Sequence, residues 1–236
     1  MKKKILVIAL AVALLAMMVG GTLAYFTAED EATNTFTVGS VRIEVNENGE
    51  ATDEDTMEFG SLTPVVNTDD PSQDISYIDK VVDVSNIGNN AAYIRTYIAY
   101  PAQLEGYLIL DMDTTGWTQK NLSMELDGVE YILYAFDYNT AVGSGETTTD
   151  LLKGVYLSSD VDLLENEDGD YEFIRRIGDY VDESGFVAHT LNDDGSYTST
   201  VINVLVASQA IQAQGFENVT PSEALNSGFP THPWSN

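Results

Sequence analysis

The chain begins with a continuous apolar run and then changes to alternating apolar and polar positions. Residues 5–19 are all apolar, and three lysines at positions 2–4 precede them. Thr22 and Ala24 place small residues at the −3 and −1 positions of a signal-peptidase site. The pattern predicts a signal peptide over residues 1–24, cut before Tyr25. An uncleaved membrane anchor is the alternative, although the run is shorter than the roughly 20 residues that a spanning helix needs.

The alternation that follows changes phase at residues 39–40. Phe36 and Val38 share one parity, whereas Val41, Ile43 and Val45 share the other. A bulge or corner at Gly-Ser explains such a change. Residues 25–35 carry two aromatic residues followed by acidic and small ones, too few apolar groups to belong firmly to their own core. We therefore predict a detachable N-terminal strand over residues 25–38 and a separate body over residues 39–236.

The body is predicted to be rich in β-strands. The clearest hairpin joins residues 122–126 to 129–137 through Asp127-Gly128, a pair that tolerates the positive φ angles of a two-residue turn. Residues 198–210 form the longest strand signal and are expected to be a central strand. Further strand-like runs cover residues 57–62, 75–85, 91–100, 151–158 and 172–177.

One short helix is predicted near the carboxyl terminus. Thr220 can cap it, Pro221 suits its first position, Glu223 completes a capping box and Gly228 can end it. About ten strands, one helix and no βαβ alternation indicate an all-β fold. We expect an antiparallel, jelly-roll-like β-sandwich with a short C-terminal helix and an N-terminal donor strand.

Composition restricts the partners. After the predicted cut, seven Lys and Arg stand against 38 Asp and Glu, which gives a net charge of −31. This charge argues against nucleic acid and anionic lipid, so contact with a membrane is expected only for the precursor. The hydrophobic content of 44% indicates a folded body rather than a disordered acidic tail. The absence of Cys removes disulfides and thiol catalysis.

No catalytic motif is visible in the chain. The two histidines, His189 and His232, lie outside any H-E-x-x-H pattern. The sequence also lacks G-x-S-x-G, a Walker loop and a dinucleotide fingerprint. Paired carboxylates for glycoside chemistry are recognised by their separation in space, so 38 acidic residues single out none. We predict no catalytic residue and no cofactor other than calcium.

Two acidic turns resemble calcium loops because carboxylate and amide oxygens alternate before a glycine. They are residues 166–170 and residues 192–195, with a related pattern over residues 44–55. The candidate calcium ligands are Asp168, Asp170, Asn192 and Asp194. Ordinary hairpin turns without metal are the alternative, since Asp-Gly is also a common turn sequence.

The segment GGTLAYFTAEDEATNTFTVGSVRIEV closely resembles the signal-peptide and first-strand signature of the TasA/camelysin (CalY) family, whose members are processed by a SipW-type signal peptidase. Four features carry the resemblance. They are the glycines before the cut, the small residues Thr22 and Ala24 at it, the aromatic pair Tyr25-Phe26 after it, and the run from Asn34 and Phe36 through Gly39 to the Val-x-Ile strand. Residues 84–95 and 206–216 also look like strands of this family.

The resemblance implies a secreted subunit that forms extracellular or cell-surface biofilm-matrix fibres. In such fibres each N-terminal strand is donated to the neighbouring subunit, so the main partners are further copies of the chain, joined head to tail. Carried onto this sequence, the donor is residues 25–37, with Tyr25, Phe26 and Phe36 as anchors and Asn34 within the strand.

Two alternatives remain from the sequence. A secreted metalloendopeptidase of camelysin type is implied by the family's name, although no histidine motif supports it. A carbohydrate-binding jelly roll would use aromatic residues, of which Tyr97, Tyr100, Trp117 and Trp234 are the candidates.

Overall fold

The structure, a computed structural model, describes residues 27–30, 41–52, 56–59 and 62–235. Fifteen strands and one α-helix occur in this part of the chain. They are β1 (Thr27–Asp30), β2 (Ile43–Glu47), β3 (Glu50–Ala51), β4 (Thr56–Phe59), β5 (Ile78–Asn86), β6 (Ala92–Pro101), β7 (Leu108–Met112), β8 (Trp117–Leu126), β9 (Val129–Tyr138), β10 (Leu152–Leu157), β11 (Val161–Glu165), β12 (Tyr171–Ile177), β13 (Tyr180–Leu191), β14 (Tyr197–Ser199), β15 (Ile202–Gln212) and α1 (Pro221–Gly228).

The strands form three antiparallel sheets. The first has the order β1-β15-β6-β9-β8, with β4 also paired to β15. The second has the order β3-β2-β5-β10-β7, and the third β11-β12-β13-β14. The chain crosses between the first two sheets from β5 to β6, from β7 to β8 and from β9 to β10. These crossings make a sandwich, so the prediction of an all-β antiparallel fold is confirmed.

The core lies between the first two sheets. Val84 and Leu152 of the second sheet pack with Ile94 and Phe136 of the first, and all are almost completely buried. The third sheet joins the same core through Val161, Phe173 and Ala188. Both faces of β6 and β15 are buried. This explains why the sequences of these strands are nearly continuous apolar runs and do not alternate between apolar and polar residues.

The strongest local signals are confirmed. Asp127 (φ 52°) and Gly128 (φ 82°) form the turn between β8 and β9. Thr220 caps α1 in a complete capping box with Glu223, and the helix ends at Gly228 as predicted. β15 is an interior strand, although the predicted run is divided into β14 and β15 at Thr200.

Four described strands, β3, β7, β11 and β13, were not predicted. β3 has only two residues, and the mixed residues of the other three follow no clear period of two. The phase change at residues 39–40 and the signal peptide lie outside the described residues. Within the described part of the chain, no helix is long and apolar enough to cross a membrane.

Candidate functional site

The N-terminal strand occupies one edge of the first sheet. β1 pairs antiparallel with β15, and its register joins Thr27 to Ile211 and Asp30 to Ser208. Four pairs are described between the two strands, and the sequence of β1 is Thr-Ala-Glu-Asp. The described connection between β1 and β15 is this backbone ladder.

The receiving part of β15 is rigidly supported from the other side. Ser208 Oγ lies 2.9 Å from Thr96 Oγ1, and Tyr97 donates its hydroxyl to Gln209 Oε1 at 3.0 Å. Both side chains on β15 are buried. Hydrogen-bonded partners on β6 hold this segment in place, so its edge is a preformed template for an added strand.

β4 occupies the same edge further along. It pairs with Ile202–Leu205, while β1 pairs with Ser208–Ile211. Both strands run antiparallel to β15, so they lie end to end, with Val206 and Ala207 between their partners. A strand entering the β1 position therefore meets β4 within two residues, which limits how far its register can slip.

A buried charge network connects the outer face of the first sheet to α1. The carboxylate of Asp137 accepts hydrogen bonds from the Arg95 guanidinium, from Lys120 Nζ at 2.7 Å and from Ser222 Oγ. Arg95 also donates to Asn226 Oδ1 at 2.8 Å. Burial alone would raise the pKa of Asp137, but these hydrogen bonds outweigh it and hold the pKa below its usual range.

Sequence reasoning missed this network. Its signal was present, since Arg95 and Asp137 are charged residues inside the two most apolar strands. The helix that carries Ser222 and Asn226 is more than 80 residues away in sequence, so the pairing could not be predicted.

The predicted cleavage residues Thr22, Ala24 and Tyr25, and the predicted anchors Phe26, Asn34 and Phe36, lie outside the described residues. The structure describes the four residues that immediately follow Phe26, and these form β1. It therefore places part of the predicted donor strand on a sheet edge of its own subunit.

The four candidate calcium ligands lie in two neighbouring turns at one end of the third sheet. Asn166 Oδ1 accepts from the backbone N–H groups of Asp168 and Asp170, and Asp170 accepts from Leu191 N–H at 2.8 Å. Asp194 accepts from Ser196, which lowers the pKa of its carboxyl. Asp194 therefore stabilises its own turn, whereas Asp170 connects its turn to Leu191 at the end of β13.

The histidines do not form a metal centre with other described residues. His189 Nδ1 lies 3.1 Å from Ser199 Oγ, and His232 sits in the C-terminal tail, where burial lowers its pKa. Within the described ranges, no group of three or more His, Cys, Asp or Glu side chains is placed to hold a metal ion.

The candidate sugar-binding aromatics are mostly buried. Tyr97, Tyr100 and Trp117 are each at least 94% buried, and Trp234 packs edge-on against Tyr97 with ring centroids 6.3 Å apart. These residues fill cores, so they do not offer an exposed platform for a sugar ring.

Comparison with known proteins gives one match. Residues 1–60 match the family described as camelysin metallo-endopeptidase. No curated protein and no solved structure matches the chain. The matched residues contain the signal-peptide and first-strand motifs, and the match over residues 1–60 therefore confirms the resemblance of this chain to the TasA/camelysin family.

Proposed function

We propose that the protein is a secreted structural subunit that polymerises by exchanging its N-terminal strand between neighbouring copies. The observation that carries this proposal is the position of β1, which adds to the edge of β15 through a short backbone ladder. The family match over residues 1–60 supports secretion. A SipW-type signal peptidase would release the strand by cutting before Tyr25, and the extracellular or cell-surface matrix is the expected location.

The described ladder between β1 and its own subunit is short. Four paired residues form about four backbone hydrogen bonds, which contribute roughly 2–6 kcal/mol in total. Ordering the backbone of those residues costs about 1–2 kcal/mol each. The two quantities nearly cancel, so the strand can leave its own β15 without a large penalty.

Exchange keeps the same hydrogen bonds and places them between subunits. A neighbour's strand fits the vacated edge in the same register, because β15 is unchanged and β4 limits slippage. Twelve residues, 31–42, separate β1 from β2 in the sequence, a length whose fully extended span is at most about 40 Å. Each subunit then offers one strand and one edge, an arrangement that grows head to tail without closing.

The chain contains no Cys, so engineered cysteines can lock the strand. Asp30 lies directly opposite Ser208, where Cα atoms of an antiparallel pair are about 4.5–5.5 Å apart, within disulfide range. Protein starting at Tyr25 and carrying D30C and S208C should form filaments when reduced. After oxidation as a dilute monomer, it should remain monomeric by electron microscopy and light scattering.

Three further samples control the experiment. A mixture of D30C and S208C subunits should form intermolecular disulfides, whereas T27C mixed with S208C should not, because Thr27 pairs with Ile211. Protein starting at Val41 should stay monomeric. Filaments from the oxidised double variant, or from the truncated protein, would refute strand exchange.

The description of the matching family favours a second candidate, a secreted metalloendopeptidase. The described residues do not fit a metal site, since no group of three or more His, Cys, Asp or Glu side chains among them is placed to hold a metal ion. Casein cleavage that persists through repurification and stops with a chelator would support the peptidase. If a preparation shows no such cleavage, the structural role is the remaining candidate function.

A further inference from the structure

β8 is an unusual edge strand. It is ten residues long, and its ten pairs with β9 run without a bulge. The other strands at sheet edges in the described part of the chain have two to five residues. Proteins normally keep edge strands short, charged or interrupted, because a long flat edge is a template for pairing with another chain. β8 is neither short nor interrupted, and its one basic residue, Lys120, is held in an ion pair with Asp137.

The free backbone groups of β8 are at odd-numbered residues. In a two-residue hairpin the flanking residues, Leu126 and Val129, form a hydrogen-bonded pair. Hydrogen-bonded pairs recur at every second residue, so even-numbered residues of β8 bond to β9. The N–H and C=O groups of Gln119, Asn121, Ser123 and Glu125 therefore point away from the sheet.

The side chains of β8 carry no net charge. Its sequence, WTQKNLSMEL, contains one Lys and one Glu, in a chain whose net charge is −28. Two copies of so acidic a protein repel over most of their surfaces, and they repel least where the local charge is zero. Leu122 lies near the centre of this strand and is 47% exposed.

We propose that two copies of the chain join by antiparallel pairing of β8 with β8, about a two-fold axis at Leu122. A two-fold axis perpendicular to the sheet leaves each face of the sheet on the same side in both copies. Even-numbered residues must therefore pair with even-numbered residues, and odd-numbered with odd-numbered. Centred on Leu122, the register pairs Asn121 with Ser123 and Gln119 with Glu125. These are the residues with free backbone groups, and the first sheets of both copies become continuous.

This register also avoids repulsive side-chain pairs. Leu122 meets its own copy, Lys120 meets Met124, and no like charges are opposed. The next symmetric register, centred on Asn121, would require the N–H of Trp117, which already donates to Thr114 C=O at 3.0 Å. Pairing at β8 is independent of strand exchange at β15, which lies on the opposite side of β6 and β9. It would join filaments side by side.

A single cysteine tests the register in the full chain. Leu122→Cys should form disulfide-linked dimers under mild oxidation, because the two-fold axis brings this position against itself. Ser123→Cys projects from the other face opposite Asn121, and Leu164→Cys is 39% exposed on the edge strand β11. We expect L122C to dimerise at least tenfold faster than either control. Equal rates would overturn the proposal.

A second variant measures the interface without a disulfide. Leu122→Lys opposes two positive charges at the axis and should weaken the dimer at least tenfold in sedimentation equilibrium, whereas Leu164→Lys should leave it unchanged. An unchanged L122K dimer would overturn the proposal. Disulfides between L122C and D30C subunits would assign the edge to the N-terminal strand and would also overturn it. Filaments with no β8 crosslinks would refute this inference alone, and crosslinks without filaments would refute strand exchange alone.

Discussion

Removal of the Asp137 carboxylate should destabilise the protein strongly. Asp137 is 1% exposed and Arg95 is 5% exposed, so Asp137→Ala leaves a buried guanidinium without its counter-charge. Breaking a buried ion pair in this way costs about 3–5 kcal/mol. For a domain of this size that loss lowers Tm by roughly 6–20 °C. Urea unfolding followed by tryptophan fluorescence measures it directly.

A matched surface pair provides the control. Asp113 binds Lys153 Nζ at 2.8 Å, but both side chains are partly exposed, so Asp113→Ala should change stability little. Replacing both buried partners, as in R95M/D137M, should recover most of the loss, because no buried charge is left unpaired and Lys120, whose side chain is 34% exposed, can be solvated by water. A D137A protein as stable as D113A, or a double variant as unstable as D137A, would refute the reasoning.

The pH dependence follows from the same network. Because the pKa of Asp137 is lowered in the folded protein, its contribution to stability is fully present above the unfolded pKa of about 3.9. That contribution is lost as pH falls toward the folded pKa. The free energy of unfolding should therefore decrease below about pH 4, and Asp137→Asn should make this decrease shallower. Equal slopes for the two proteins would contradict the assignment.

Two further outcomes are expected. Gly154→Ala should lower the free energy of unfolding by about 1–3 kcal/mol. The added Cβ would overlap the ring of Tyr77 and displace the Tyr77 hydroxyl, which donates to Asp111. The double variant Y77A/G154A should recover part of this loss. Acid or Ca²⁺ should accelerate the assembly of subunits that carry a net charge of about −31, since protonation or cation binding reduces their mutual repulsion. An assembly rate, measured by light scattering, that changes with neither pH nor Ca²⁺ would reject this prediction.

Local sequence determined the elements whose causes are local. The Asp127-Gly128 turn follows from residues that adopt positive φ, and α1 follows from its capping box and first-turn proline. The alternation of apolar and polar positions was enough to predict antiparallel β-structure, because burial on one face imposes a period of two. The predicted signal peptide and the segment that matches the family are likewise contained in one continuous stretch, residues 1–60.

Only the tertiary structure decided which strands meet. β1 pairs with β15, about 180 residues away, and no local preference selects that partner over another free edge. The Arg95–Asp137 pair and its link to Ser222 likewise depend on how the sheet and helix pack. The exposed edge of β8 is a property of strand order, since the same sequence inside a sheet would have no free groups. Backbone hydrogen bonds are alike for every residue, so their partners are chosen by topology and core packing.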